Sequence, residues 1–348
     1  MRRSTVPMLM LTAALASSCG QPDEETSPAL STTAQAATPT QLSYVVIPHP
    51  DDEYEGWSLI DNSTSNYKVF VLMTRGEETG GCNPASTGVG GPYWYHGPNS
   101  PVGMPNYNER MPVPNPWSGK WTSACKQARV ESFRTFLETM AASDVSLPQS
   151  PTSRGRFCFG DMPSDGLPPS VVDHTDANGN YGTTIESRCA DVWSNSVGAI
   201  VVFDLGDGDL RPAEVIWALR QVRANKAMLG IPALPEWNVI GASYFNKLNP
   251  NCAVYEHKDH GAIHTALWNT NIGAGPQYGR TCLSDPDISA TGGRISSVSD
   301  TTHARTLQMS GTTRLGPLPR IYGWLDVPSS WQLTGDTLFS QRQGFWKR

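Results

Sequence analysis

The sequence predicts an α/β fold, a mainly parallel β-sheet flanked by helices. Three observations predict it. Short β-branched apolar runs recur at 42–48 (LSYVVIP), 68–74 (KVFVLMT), 198–205 (GAIVVFDL) and 237–242 (WNVIGA), each the length of a buried strand. Between them, 123–143 (SACKQARVESFRTFLETMAAS) and 211–227 (RPAEVIWALRQVRANKA) place apolar residues three or four apart, the period of a helix with one buried face. Strands alternating with helices pair in parallel, because each crossover helix returns the chain to the same edge of the sheet. The 348 residues are 38% apolar and 9% aromatic, enough for a substantial core.

Residues 1–19 read as an export signal, with Arg2 and Arg3 ahead of an apolar stretch too short to span a bilayer. LASSC at 15–19 resembles a bacterial lipobox, in which Cys19 would carry the lipid. Ala16 stands where such boxes usually have Leu, so cleavage without lipidation stays open. The expectation is a protein secreted, or anchored to the outer face of a bacterial membrane as a lipoprotein, touching the membrane only through that anchor. Residues 20–41 lack aromatics and are rich in Ser, Thr, Ala and Pro, the composition of a flexible linker, so one domain is expected over 42–348.

The first strand run leads into HPDDEYEGWSLI at 49–60 and the second follows about twenty residues later, as in a β-α-β unit. Residues 77–120 then break the rhythm with a long Gly, Pro and aromatic loop that includes Cys82, Tyr93, Trp94 and Tyr95. Loops of this length are usually functional or disordered, and Cys82 with the clustered rings favours an ordered one. Ser123 can cap the next helix, and Pro212 lies near the start of the one after the third strand. Asp204, Asp207 and Asp209 alternate with glycine, faintly like a calcium loop, but without the twelve-residue pattern and its terminal Glu, so this is read as a strand-to-helix connection at the cleft rim. The last sixty residues offer short strand-like pieces and many turns and are expected to form an irregular extension.

A net charge of -6 argues against a nucleic-acid partner, which calls for a basic face. Beyond Cys19 there are six cysteines, an even number that in an exported chain favours disulfides. Nearest-neighbour pairing gives Cys82–Cys125, Cys158–Cys189 and Cys252–Cys282. No CxxC pair suggests a zinc ribbon or thiol redox site.

HPDDE crowds a histidine and three carboxylates at the carboxyl end of the first strand, where open α/β sheets build ligand sites. Adjacent carboxylates raise one another's pKa unless a cation offsets them, and a divalent metal supplies the offset. His and Asp are ordinary zinc ligands, and a catalytic zinc takes three protein ligands. Three of the seven histidines crowd into YEHKDHGAIHTAL at 255–267.

The early HPDDE and the late HKDH together resemble the LmbE-like, or PIG-L, family of zinc-dependent N-deacetylases, whose signatures are HPDDE after strand one and HxDH entering a helix. VLMTRGEE at 71–78 also looks like that family's Thr-x-Gly-Glu turn. The resemblance implies a Rossmann-like fold, one zinc held by His49, Asp52 and His260, Asp51 as general base, His257 as the group that stabilises the transition state, and Asp259 as the partner that orients His257. It implies removal of an acetyl or other acyl group from the amine of an N-acylated amino sugar or glycoconjugate. Iron(II) suits the same ligands.

The chemistry of the residues agrees. Zinc lowers the pKa of bound water to about 7. Asp51, off the metal, can take a proton from water and return it to the departing amine. A protonated His257 can support the oxyanion. Glu53 suits the helix start, where an acid is favoured. Tyr93, Trp94, Tyr95 and Arg129 are candidate substrate contacts, although rings in a loop can simply pack it and Arg129 can be salt-bridged. His264, four residues after His260, is read as structural. Two other readings use the same residues: a metal-dependent phosphoester hydrolase, for which the sequence offers neither a second metal cluster nor a Gly-rich phosphate loop, and a surface carbohydrate-binding lipoprotein without turnover, which would have no use for a proton shuttle.

Overall fold

A computed structural model describes residues 38–77, 123–160, 171–175, 181–185, 187–244, 257–281, 283–298 and 342–348. The first apolar run forms β1 (Gln41–Ile47) and the second β2 (Asn66–Leu72), parallel and in register from Gln41 opposite Asn66 to Ile47 opposite Leu72. Between them the chain makes a 3₁₀ turn at Asp52–Gly56 and a short helix, α1 (Trp57–Asp61). The third run is β7 (Gly198–Asp204), parallel to β2, and the fourth is β8 (Glu236–Gly241), parallel to β1. β9 (Gln277–Thr281) continues the parallel set beside β8.

Antiparallel strands flank this centre. β3 (Thr152–Cys158) and β6 (Ser187–Ser194) extend the β7 side, while β10 (Arg294–Ser297) and β11 (Arg342–Lys347) extend the β9 side. The nine-stranded order is β10-β11-β9-β8-β1-β2-β7-β6-β3, and β4 (Val171–Thr175) pairs with β5 (Tyr181–Ile185) as a separate hairpin. The fold is therefore α/β with a mixed sheet, parallel at its centre.

Alternation along each central strand sends its apolar residues to two cores. Val45, Ile47, Phe70 and Leu72 face one side, where α2 (Ser123–Ala141) packs Val130, Phe133, Phe136, Leu137 and Met140 against them. Tyr44, Val46, Val69 and Val71 face the other, under α3 (Pro212–Ala224) and α4 (Lys258–Asn269). A strand covered on both faces is apolar along most of its length, which is why 44–47 and 69–72 read as continuous hydrophobic runs.

The end of the chain departs from the expected irregular extension. β11 lies between β9 and β10, with Trp346 filling the space a side chain at Gly279 would need and donating its Nε1 proton to His264. A short helix, α5 (Asp285–Ala290), precedes β10. Cys158 and Cys189 face each other across β3 and β6 and are disulfide-bonded. The pairings expected for Cys82 with Cys125 and for Cys252 with Cys282 fall outside the described side chains, as do Cys19 and the loop residues Tyr93, Trp94 and Tyr95. No described helix is long and apolar enough to cross a membrane.

Candidate metal centre

Parallel strands present all their carboxyl ends at one edge, and four of them build the site. Backbone hydrogen bonds carry the ladder past the strands: Met73 N–H to Ile47 O at 2.9 Å, Leu205 N–H to Met73 O at 3.1 Å, and Ala242 N–H to Val46 O at 2.9 Å. The segments after β1, β2, β7 and β8 are thereby fixed side by side, and α4 brings in its first turn from above β8.

After β1, Pro48 O accepts from Thr74 N–H and from the Thr74 hydroxyl, tying the first loop to the second. Asp51 then adopts a left-handed backbone with φ of 106°, a conformation in which Asp is one of the tolerated residues. Its N–H donates to Glu53 Oε2 at 2.9 Å, so Glu53 holds the turn at the helix start. The turn separates the neighbouring carboxylates. Asp52 turns toward His49 and His260, while Asp51 receives Arg129 Nη1 at 3.1 Å from α2. Arg129 reaches it by passing over Gly76, where a Cβ would lie 2.6 Å from its Nη2.

Asp52 Oδ2 is the focus of the cluster, 3.0 Å from His49 Nδ1 and 3.2 Å from His260 Nε2. The three residues are buried and offer three ligand atoms within 4.8 Å of one another; His49, His257 and Asp259 form an overlapping group. Zinc bonded at about 2.0–2.1 Å in a tetrahedron sets its ligands about 3.3–3.4 Å apart, close to the two spacings found here. The outer nitrogens also fit. His260 Nδ1 faces Tyr244 O at 3.1 Å, and His49 Nε2 faces Asp259 Oδ2 at 2.9 Å and Asp207 Oδ1 at 3.0 Å. Metal-binding histidines almost always engage a carboxylate or carbonyl through the second nitrogen in this way. The His/Asp groupings can thus bind a metal ion, whose identity the geometry leaves open.

Asp259 is fully buried, and its oxygens also accept Gly208 N–H at 2.9 Å and Leu210 N–H at 3.1 Å. Its carboxylate therefore orients His49 and the loop after β7, whereas the expectation placed it as the orienting partner of His257. It also meets His257: Asp259 N–H points at His257 Nδ1, 3.4 Å away, with His257 as the N-cap of α4, and the carboxylate lies close enough to that ring to favour its charged form.

Electrostatics separate the three histidines. Burial works against a charged His49, but Asp207, Asp259 and Asp52 outweigh it and hold its pKa well above the ordinary imidazole value. A cation would take the place of that proton. Burial likewise opposes a charged Asp52, yet His260 and His49 keep its carboxyl below the usual carboxylate range. Glu55, whose carboxylate accepts Tyr244 N–H, is pushed well up by burial and by Asp52. His257 is pushed down to about 4 by burial and by His49 and His260, so at neutral pH it is a neutral imidazole. That differs from the protonated His257 expected from sequence. With Nδ1 accepting from Asp259 N–H, the proton of the neutral ring sits on Nε2.

The sequence missed Asp207 as a member of this cluster. It stands between Gly206 and Gly208, both at positive φ (86° and 84°), which lets the turn aim the carboxylate at His49. The Gly-Asp-Gly signal was visible, but its direction was not. His264 contacts Trp346 and is pushed down to about 4 by burial, away from the cluster. Neither a family model nor a curated protein matches the sequence.

Proposed function

We propose that the chain is an exported metal-dependent N-deacylase acting on an N-acylated amino sugar or glycoconjugate, on a Rossmann-like domain, with zinc held by His49, Asp52 and His260. The observation that carries this reading is the meeting of three buried ligand atoms, His49 Nδ1 and His260 Nε2 converging on Asp52 Oδ2, beside a second aspartate that is directed elsewhere. A zinc ion there would supply a Lewis acid and acidify water to a pKa of about 7.

The remaining chemistry belongs to the chain. Asp51, aimed by Arg129, takes the proton of the attacking water and passes it to the nitrogen, because an amine leaves only once protonated. His257 donates an Nε2–H hydrogen bond to the acyl oxygen as the carbon becomes tetrahedral, keeping its proton, a contact worth about 100- to 1000-fold in rate when lost. Asp259 and Asp207 orient His49. The proposed substrate contacts Tyr93, Trp94 and Tyr95 would add affinity for a sugar ring, and Cys19 a lipid anchor.

The test is release of primary amine from a panel of N-acetylated glycans, glycolipids and glycosylated antibiotics, with and without chelator, alongside a chromogenic phosphate ester. Chelator-sensitive amine release supports the reading. Phosphate release without amine would favour the phosphoesterase, and glycan binding without turnover the carbohydrate-binding lipoprotein.

A further inference from the structure

We infer that Lys126 is a positioning residue for the deacylation proposed above: gripped by the ends of two strands, it sets the turn of α2 that delivers Arg129 to Asp51. The inference rests on that functional reading.

Lys126 and Arg129 are three apart on α2 and so point the same way. Each reaches the carboxyl edge of the sheet. Lys126 Nζ lies 3.1 Å from Glu77 Oε1, beyond β2, and 2.9 and 3.1 Å from the two oxygens of Asp204, the last residue of β7. Arg129 Nη1 lies 3.1 Å from Asp51, beyond β1. Consecutive residues after β2 serve both cations, since Gly76 clears the path of Arg129 and Glu77 anchors Lys126. Three strand ends therefore fix one helical turn.

The arrangement is poorly suited to stability alone. Glu77 is fully buried, and burial together with Asp207 and Asp204 pushes its carboxyl up to about 7. Burial also opposes the charge of Lys126, although Glu77 and Asp204 outweigh it and raise its pKa. Well-packed apolar residues often replace such buried pairs without loss of stability, so the charges are better accounted for by the register they set. Register matters here because one guanidinium nitrogen must meet one carboxylate oxygen, and a misplacement of about 1 Å at such a contact can lower a rate on the order of a hundredfold. Asp204 is in turn approached by Arg75 Nε at 3.6 Å, and Arg75 is ion-paired with Asp191 on β6, so the anchor is itself braced.

The test is Lys126→Met in the full chain, which keeps the stem and removes the charge. On a minimal N-acetyl substrate kcat should fall on the order of ten- to a hundredfold with KM and metal content unchanged, and Lys126→Arg should recover most of the loss. The Arg129 Nε–H resonance, assigned with Arg129→Lys, should be slowly exchanging in the parent and shifted and fast-exchanging in Lys126→Met. If Lys126→Met does not fold, Asp204→Asn should move the same resonance in the same direction. An unchanged resonance with full kcat, or loss of the metal, overturns the inference. If the parent releases no amine from any substrate, the deacylase reading fails, while the resonance still decides whether Lys126 positions Arg129.

Discussion

The two edges of the sheet bury charge on different terms. At the amino-terminal edge, partners match. Tyr44 donates to Glu236 at 2.8 Å, Arg223 and Lys226 meet the same carboxylate at 2.6 and 3.0 Å, and Lys68 Nζ donates to the Ser146 carbonyl and hydroxyl at 3.1 and 2.8 Å. At the carboxyl edge they do not. One nitrogen of His49 faces two carboxylates, and burial with Asp207 and Asp204 pushes Glu77 up to about 7 even with Lys126 beside it. Buried charge is tolerated when paired, and an excess of one sign calls for a cation. The first edge closes on its own partners; the second carries His/Asp groupings that can bind a metal ion.

Four changes break or sharpen that contrast. The largest effect is expected from Asp51→Asn, which should lower turnover roughly 100- to 10,000-fold, the usual contribution of a general base, without loss of folding, since the side chain is nearly isosteric. Steady-state kinetics and a thermal melt check both halves. Next comes the core beneath α2: Phe133, fully buried against Phe70, should lose about 3–5 kcal/mol of stability on substitution by Ala, measured by denaturant unfolding. Replacing Cys158 and Cys189 together by Ala should remove about 2–4 kcal/mol while leaving kcat on a minimal substrate intact, because the bridge staples antiparallel β3 and β6 rather than the cluster.

The smallest effect is a pH slope at the amino-terminal edge. Burial lowers the Lys68 pKa from 10.5 to about 8, with Asp144 and Asp61 opposing the shift. Between about pH 8 and 10.5 the unfolded chain therefore binds more protons than the native one, so this group makes stability rise with pH across that window. Lys68→Met should flatten the slope. An identical slope in both proteins would mean that Lys68 is solvated, and the account of that edge would fall.

Much of this was legible in the sequence, for physical reasons that also mark where legibility stops. β1, β2, β7 and β8 are covered on both faces, so their runs had to be apolar and were visible as strands. β9 and β11 read QYGRT and RQGFWK, in which neither run nor strict alternation stands out. Their pairing depends on contacts such as Trp346 on Gly279, between residues far apart in the chain. At the site, residue types pointed to a metal and the family resemblance to His49, Asp52 and His260, which the fold does bring together, because strand ends and helix starts fix where those side chains must be. Directions were hidden. That Asp259 turns to His49, that Asp207 joins it, and that Arg129 crosses Gly76 to Asp51 follow from backbone angles and close packing that a linear pattern does not carry.

The most direct test of the metal centre is zinc content, measured by elemental analysis after saturation and dialysis, on three forms of the full chain. The parent and Asp51→Asn should each retain one equivalent, and Asp52→Ala should retain none, since it removes the oxygen on which the two histidines converge. A full equivalent in Asp52→Ala, or none in the parent, would contradict the assignment.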